Sequence, residues 1–413
     1  MHSAVTNGTT KLAAAAIRGT LTLAVLSTLL LISIRPAQAQ TESVLYNFCS
    51  QPNCSDGGDP MSGLTSDGAG NFYGTTPAGG VNSGTVAGNV YELSPNGSGG
   101  WNETVLHTFT GGADGDSPSG PVIFDSLGNL YGATLGGGAN GYGVVFKLRS
   151  VGASWTETVL YSPTKREVGV HPQTGLIMDP AGNLYGATLH NVFELSLSGG
   201  VWTARIIYPT GISDSIAGGL AMDAVGNIFG NSESKVFKLS PNGTGGWRAS
   251  VLHKFAGYPI DGGFAQGTPV LDQAGNIYGT TSGGGNLGDG TVYEISAKKH
   301  GTRTYQILHS FQGGNDGYIP VSGLALDAAG NLYGTTTGGG VGKAGTVYKL
   351  APIGGGNYQE QILWSFNRTD GNSPYGTPIL DSAGNIYGTT WAGGSIENGC
   401  AGSGCGVVFE VTP

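Results

Sequence analysis

One eight-residue signature, Asp-x-x-Gly-Asn-apolar-aromatic-Gly, recurs seven times in this chain, with its Asn at positions 71, 129, 183, 227, 276, 331 and 385. Successive copies lie 58, 54, 44, 49, 55 and 54 residues apart, a unit close to the roughly 40–50 residues of a propeller blade. The sixth unit shows what a unit contains: Gly323-Leu-Ala-Leu-Asp327, Asn331-Leu-Tyr-Gly-Thr-Thr336, Gly345-Thr-Val-Tyr-Lys-Leu350 and residues 359–366. Each stretch has the alternation and β-branched content of a short strand. Ala328-Ala329-Gly330 offers the positive φ of a tight hairpin, and the Asp before it can accept backbone N–H bonds. The third and fourth strands are joined by Pro-Asn-Gly or Gly-Gly turns, as at Pro95-Asn96-Gly97 and Pro241-Asn242-Gly243. No segment has helical periodicity. Glycine makes up 77 of 413 residues and charged groups only 11%, which without this pattern would suggest disorder. Four antiparallel strands per unit, seven times over, instead predict an all-β, seven-bladed β-propeller.

The blades are expected near residues 62–109, 119–162, 174–208, 218–255, 266–311, 322–366 and 376–411, all in one domain spanning 40–413. The last unit has only three strands of its own. Val44-Leu-Tyr-Asn-Phe48 matches the outer strands Val105-Leu-His-Thr-Phe109 and Ile307-Leu-His-Ser-Phe311, so it is expected to pair with residues 406–411 and close the ring. Closure would remove two free sheet edges. It would also bring the four cysteines to one corner, with Cys49–Cys54 and Cys400–Cys405 as the favoured disulfides and a cross-pairing that staples the ring as the alternative. Metal binding by these cysteines is disfavoured in an oxidising compartment.

That compartment is inferred from residues 1–39, which read as a secretory signal. Lys11 and Arg18 precede an apolar run, Thr20 to Ile34, and Ala37-Gln38-Ala39 forms a small-residue cleavage site. The remaining chain carries 15 Lys+Arg against 27 Asp+Glu, a formal charge of −12, which argues against nucleic acid or anionic lipid as a partner. No later stretch is apolar enough to span a membrane. A secreted or periplasmic monomer is the expectation, its partner an extracellular or envelope ligand.

Gly-Asn-Leu-Tyr-Gly-Thr-Thr (330–336), Gly338-Gly339 and Gly345-Thr-Val-Tyr-Lys-Leu350 resemble the GloVer tandem-repeat family of exported bacterial proteins, and the resemblance covers the chain after the signal. The stretch 323–333 is also similar to NHL-type propellers. These resemblances imply a fold, not an activity. Members of the family often carry a C-terminal sorting segment, whereas this sequence ends at Val411-Thr412-Pro413, so a soluble exported form is expected.

Chemistry is harder to place. The repeated Asp67, Asp125, Asp179, Asp223, Asp272, Asp327 and Asp381 could ring a cation, but a group copied in every blade is better read as ordering its own turn. The aromatics Tyr73, Tyr131, Tyr185, Phe229, Tyr278, Tyr333 and Tyr387 read as inter-blade packing, and the glycines after them as sites of close backbone approach. Asp-Gly loops at Asp56, Asp114, Asp261, Asp316 and Asp370 could ligate Ca²⁺, yet no EF-hand or Gly-Gly-x-Gly-x-Asp pattern is present and turn formation explains them; no cofactor is assigned. His107, His253 and His309 share one outer-strand position with Tyr46 and Trp364 and read as structural.

Departures from the repeat are more telling, because a site in a pseudo-symmetric ring must break the symmetry. The loops between second and third strands shrink to Leu189-His190-Asn191 and 231–235 in the third and fourth units. This predicts a low rim on which Lys165, Arg166, Glu167, His171, His190, Glu233, Tyr258 and Asp261 contact a ligand; ordinary degeneration of two repeats is the alternative. The sequence has no Gly-x-Ser-x-Gly motif and no metal-ligand His cluster. A non-catalytic binding or scaffold protein for a carbohydrate or envelope component is therefore the leading reading. The alternatives are a lactonase-like or glycan-cleaving hydrolase using Glu167, Glu233 or Asp261, and a structural envelope protein. Two non-repeat carboxylates about 5–10 Å apart in a deep pocket would favour the hydrolase.

Overall fold

The computed structural model describes residues 40–79, 87–152, 154–164, 170–211, 214–297, 302–396 and 403–413. The signal reading of 1–39 lies outside them, as do Lys165, Arg166, Glu167 and Cys400. Among the described residues seven antiparallel sheets of four or five strands follow one another along the chain. The first blade is typical: a two-residue inner strand Thr65–Ser66, a second strand Phe72–Thr76, a third strand Asn89–Pro95 and an outer strand Trp101–Thr108. The inner strands are shorter than the sequence suggests; in the sixth blade the inner strand is only Ala325–Leu326. Where seven sheets converge, there is room for little more than the turn that starts each of them.

The ring closes as expected. Thr41–Asn47 pairs antiparallel with Val407–Thr412, Val44 opposite Phe409 and Tyr46 opposite Val408, so the seventh blade is built from both ends of the folded region. Each outer strand also carries a one-residue bulge at the same place: Leu45, Leu106, Leu160, Ile207, Leu252, Leu308 and Leu363. The bulge sharpens the local twist. It follows from the Val-Leu-His type of run, in which consecutive apolar residues break the period of two.

The third strands supply the largest side chains of the core, Tyr91, Phe146, Phe193, Phe237, Tyr293, Tyr348 and Phe409, all fully buried. Each ring lies over the Gly of its blade's signature. A Cβ on Gly74 or Gly334 would run into the Tyr91 or Tyr348 hydroxyl, and one on Gly132 into the Phe146 ring. The signature glycines are thus kept for an aromatic ring, which corrects the expectation of close backbone approach. The signature aromatics do pack between blades: Tyr73 meets Phe124 edge to face at 4.9 Å, and Tyr185 meets Trp247 at 5.6 Å.

Blades are also stitched near the axis. Thr75 donates to the Gly120 carbonyl of the next blade at 3.1 Å, Thr280 to Ser322 at 2.7 Å, Thr335 to Pro374 at 3.2 Å and Thr389 to Ser62 at 2.8 Å, while Asn231 donates to Gly267 at 2.7 Å. Ala133 and Ala187 hold this position in the second and third blades, and those two junctions do without the bond.

Candidate functional site

The repeated Asp residues are occupied within their own turns. Asp327 Oδ1 accepts the N–H groups of Ala329 and Asn331, both at 2.9 Å, and its Oδ2 accepts the Asn331 amide at 2.7 Å and the Tyr333 hydroxyl at 3.1 Å. Burial alone would raise the pKa of Asp327, but these donors outweigh it and hold the carboxyl below its ordinary range. The same bonds recur at Asp125, Asp179 and Asp381. No lone pairs are left converging on a cation.

The Asp-Gly loops are likewise tied down, but by a partner that local sequence does not reveal. Asp261 accepts the Ala256 and Gly257 N–H groups and bonds His253 Nε2 at 2.8 Å. Asp316 bonds His309 Nε2 at 3.2 Å, Asp56 accepts the Tyr46 hydroxyl at 2.9 Å, and Asp370 accepts Trp364 Nε1 at 3.2 Å. The outer-strand position read as structural is therefore the donor that orders the following loop.

Of the expected low-rim group, His171 is exposed, bonded through Nδ1 to the Leu135 carbonyl at 2.8 Å and edge-on to Tyr142. The His190 carbonyl accepts from Thr210. Glu233 accepts the Phe264 N–H through its backbone carbonyl. Tyr258 is 63% exposed at the rim of the fifth blade's loops. Asp261 is buried and committed to His253.

The structure brings together a different set. Each loop from an outer strand to the next inner strand descends to the axis through one repeated turn: Asp59-Pro60-Met61, Ser117-Pro118-Ser119, His171-Pro172-Gln173, Ser215-Ile216-Ala217, Phe264-Ala265-Gln266, Ile319-Pro320-Val321 and Ser373-Pro374-Tyr375. The middle residue is buried in every copy. The last residue of each turn, Met61, Ser119, Gln173, Ala217, Gln266, Val321 or Tyr375, lines a cavity of about 390 Å³ where the blades converge. One structural position thus carries six different amino acids around a ring, glutamine alone appearing twice. Its lining holds no carboxylate, histidine, lysine, arginine or cysteine; small and hydroxyl residues dominate, with two amides, Tyr375 and the apolar Met61, Pro121, Leu176, Leu220 and Val321.

The first residue of the turn is strained in six of the seven copies, Ser215 being the exception. Asp59, Ser117, His171, Phe264, Ile319 and Ser373 have φ of 57°, 55°, 49°, 58°, 58° and 55°, a left-handed conformation that is rare for ordinary residues and an outlier for a β-branched one. It is enforced by a repeated bond, in which the N–H of each donates to a carbonyl of the preceding blade's second-to-third-strand loop: Cys405, Ala87, Tyr142, Glu233, Asp289 and Ala344. Phe264 is 58% exposed and Ile319 40%. Exposed Trp391 stands edge-on to Tyr375 at 6.3 Å on the same face. No glycine-like signal marks these positions in sequence; the only trace is a Pro immediately before the axial residue in five of the seven copies.

A second cavity, about 620 Å³, lies on the opposite face between the third and fourth blades and is lined by Tyr185, Glu194, Arg205, Met222, Val225 and Trp247 among others. Glu194 there is buried and accepts from Arg205 at 2.7 Å and from Trp247 Nε1 at 3.2 Å.

Cys49 and Cys54 form the expected disulfide, with Cys405 close by; the Cys400–Cys405 pairing falls outside the described residues. Among the described residues no helix is long and apolar enough to cross a membrane.

Fold and site together define a disulfide-bearing seven-bladed β-propeller with a neutral axial cavity. The family model for the Gloeobacter/Verrucomicrobia repeat matches residues 29–235 and 226–413, and the chain belongs to that family. No curated protein matches it in sequence. Among solved structures it is similar to virginiamycin B lyase from Staphylococcus aureus, at 13% identity and a TM-score of 0.57 over 91% of this chain and 99% of that one. It is also similar to a periplasmic gluconolactonase from Pseudomonas aeruginosa, at 14% identity and a TM-score of 0.51 over 75% and 85% of the two chains. The extracellular domain of a hybrid two-component system from B. thetaiotaomicron gives 15% identity and a TM-score of 0.52 over 91% of this chain and 41% of that one. At such identities the likeness is one of fold.

Proposed function

We propose that the protein is an exported, non-catalytic binding module that holds a neutral, hydroxyl-rich ligand, a carbohydrate chain end, at the axial cavity mouth. The observation that carries this reading is the ring Met61, Ser119, Gln173, Ala217, Gln266, Val321 and Tyr375: one repeated position, diversified, facing one cavity. The side-chain amides of Gln173 and Gln266 offer both donors and acceptors to hydroxyl groups. Tyr375 and Trp391 offer aromatic faces with a polar tip, the amphipathic surface that sugar rings stack on. An ionic ligand would meet no countercharge among the lining residues.

A hydrolase needs two carboxylates free to move protons. The larger cavity on the opposite face has Asp179 and Glu194 in its wall, but Asp179 serves its own turn and Glu194 is spent on Arg205 and Trp247. Propeller enzymes share this fold, and fold alone selects no activity.

Calorimetric titration of the purified protein with neutral, acidic and amino oligosaccharides tests the proposal. Binding of a neutral saccharide, weakened at least about tenfold by Gln266→Ala and by Tyr375→Ala and unchanged by Leu127→Ser on the opposite face, is the expected result. Unaltered binding in both axial variants, or hydrolysis of the saccharide, would overturn it.

A further inference from the structure

At four blade junctions the outer strand carries a glutamate next to the loop Asp of the preceding blade. Glu42 faces Asp370, Glu103 faces Asp56, Glu157 faces Asp114 and Glu360 faces Asp316. The four Oε1 atoms of Glu42, Glu103, Glu157 and Glu360 are all buried without a hydrogen-bond partner. So is Asp56 Oδ1, on a residue only 1% exposed. Two neighbouring carboxylates have acceptors and no donor of their own; one proton supplies the donor.

We propose that these four junctions are closed by carboxylic acid–carboxylate pairs, each sharing one proton, and that the half of the ring containing the closing seam is therefore held together by acid. In each pair the proton sits on the glutamate and its O–H is directed to the aspartate, which already accepts bonds from its own loop and outer strand. Asp56 also accepts Tyr46 and Ser50, Asp370 accepts Trp364 and Asn367, Asp114 accepts Thr110 and lies 3.7 Å from His107, and Asp316 accepts His309 and Gln312. The other charged or titratable groups facing the glutamates are Tyr46 and Tyr91 at Glu103, and Tyr348 and His309 at Glu360, the latter at 3.4 Å. When the proton leaves to solvent, two buried carboxylates face each other across a blade junction and repel.

A proton rather than a metal fits the set, because the third group changes from Tyr46 to His107, His309 and Trp364 while the carboxyl pair persists, and an indole N–H cannot ligate. Burial, reinforced by the neighbouring aspartate, pushes the glutamates up to about 8 for Glu42 and Glu103, about 7 for Glu157 and about 9 for Glu360. A carboxyl raised in the folded state stabilises fully below its unfolded pKa, and the contribution is lost as pH rises through the folded value. The pairs fall on four consecutive junctions, from the fifth blade round through the seam to the second. The remaining three use Ala204, Ala249 with an Asp214–Lys235 ion pair nearby, and Tyr305 stacked on His253 at 3.7 Å.

Hydrogen exchange at about pH 6 and about pH 9, corrected for intrinsic rates, reads the two halves separately. Expected is a loss of protection of at least about tenfold at alkaline pH in strands 41–47, 101–108, 154–161 and 357–365, with 201–209 and 247–254 little changed. Replacing all four glutamates by Gln, which keeps shape and supplies a permanent donor, should abolish the difference; Glu103→Gln alone, the milder change, should remove it locally at 101–108. Equal loss in both halves, no loss in either, or restoration of wild-type protection at pH 9 by added Ca²⁺ would each overturn the proposal, the last by placing a metal between the carboxylates.

Discussion

Ile319 is held at φ 58° by a bond from its N–H to the Asp289 carbonyl, with its side chain 40% exposed. Its left-handed backbone is destabilising by about 1–2 kcal/mol relative to glycine, so Ile319→Gly should raise stability in urea by about 1 kcal/mol after the lost packing is counted. If the position serves recognition, the same variant should lose ligand affinity as it gains stability, which a structural role alone would not produce. Asp327 presents the reverse case. Its carboxylate closes a turn through two N–H groups, an amide and a hydroxyl, and Asp327→Ala should destabilise by about 1–2 kcal/mol in the same assay. The signature Asp was readable as a turn-former because everything it binds lies within six residues of it. Its distant cousins Asp261 and Asp316 were readable only in part, since the histidines that bond them come from the strand before, and Tyr305 and Glu360, which face them, come from the next blade.

Within a blade, the second and third strands are matched through one glycine and one ring. Gly334→Ala would drive a methyl group into Tyr348 and should destabilise by about 3 kcal/mol or more, as core overpacking does. Adding Tyr348→Leu should recover part of that loss, a coupling that a thermal-melt double-mutant cycle measures. The repeated strand pattern was plain in the sequence, and so was their number; the bulges at Leu106 or Leu308 were not, because a broken alternation reads equally well as a strand end. Register also exposes a pattern invisible without it. The third-strand residue opposite the signature aromatic is in turn Glu92, Lys147, Glu194, Lys238, Glu294, Lys349 and Glu410. Each Lys lies over its own blade's ring, Lys147 over Tyr131 at 5.3 Å for example, whereas Tyr387 donates to Glu410 at 2.9 Å.

Seven is odd, so an alternation of acid and base must fail once around the ring, and it fails between Glu410 and Glu92, across the junction that also carries the Glu103–Asp56 pair. Folding stability should therefore pass through a maximum near about pH 5. Above it the junction glutamates lose their protons; below it the turn aspartates, whose donors hold them down, become protonated and release their turns. A thermal midpoint falling by about 5 °C or more between pH 5 and pH 9 is the expected alkaline limb. Removing residues 40–48 should do more than any substitution, because it bares the edge of Val407–Thr412 and the facing wall of the first blade; aggregation by light scattering would report it. Reduction of Cys49–Cys54, a bridge closing only five residues, should have a modest effect, about 2 kcal/mol.

The sequence by itself determined the class, number and closure of the blades, since those depend on local periodicity and turn chemistry repeated until chance is excluded. It also picked out the Cys49–Cys54 bridge and the structural histidines. Tertiary structure alone decided where the asymmetry of the molecule is displayed. The residues of the axial ring are some fifty apart in the chain and look like unremarkable loop positions; they become neighbours only because seven loops pass through one repeated turn, strained in six of them, and converge on one axis. The facing carboxyls are likewise created by the ring, because each pair joins a loop of one blade to the outer strand of the next, and burial between blades is what gives them a proton to share.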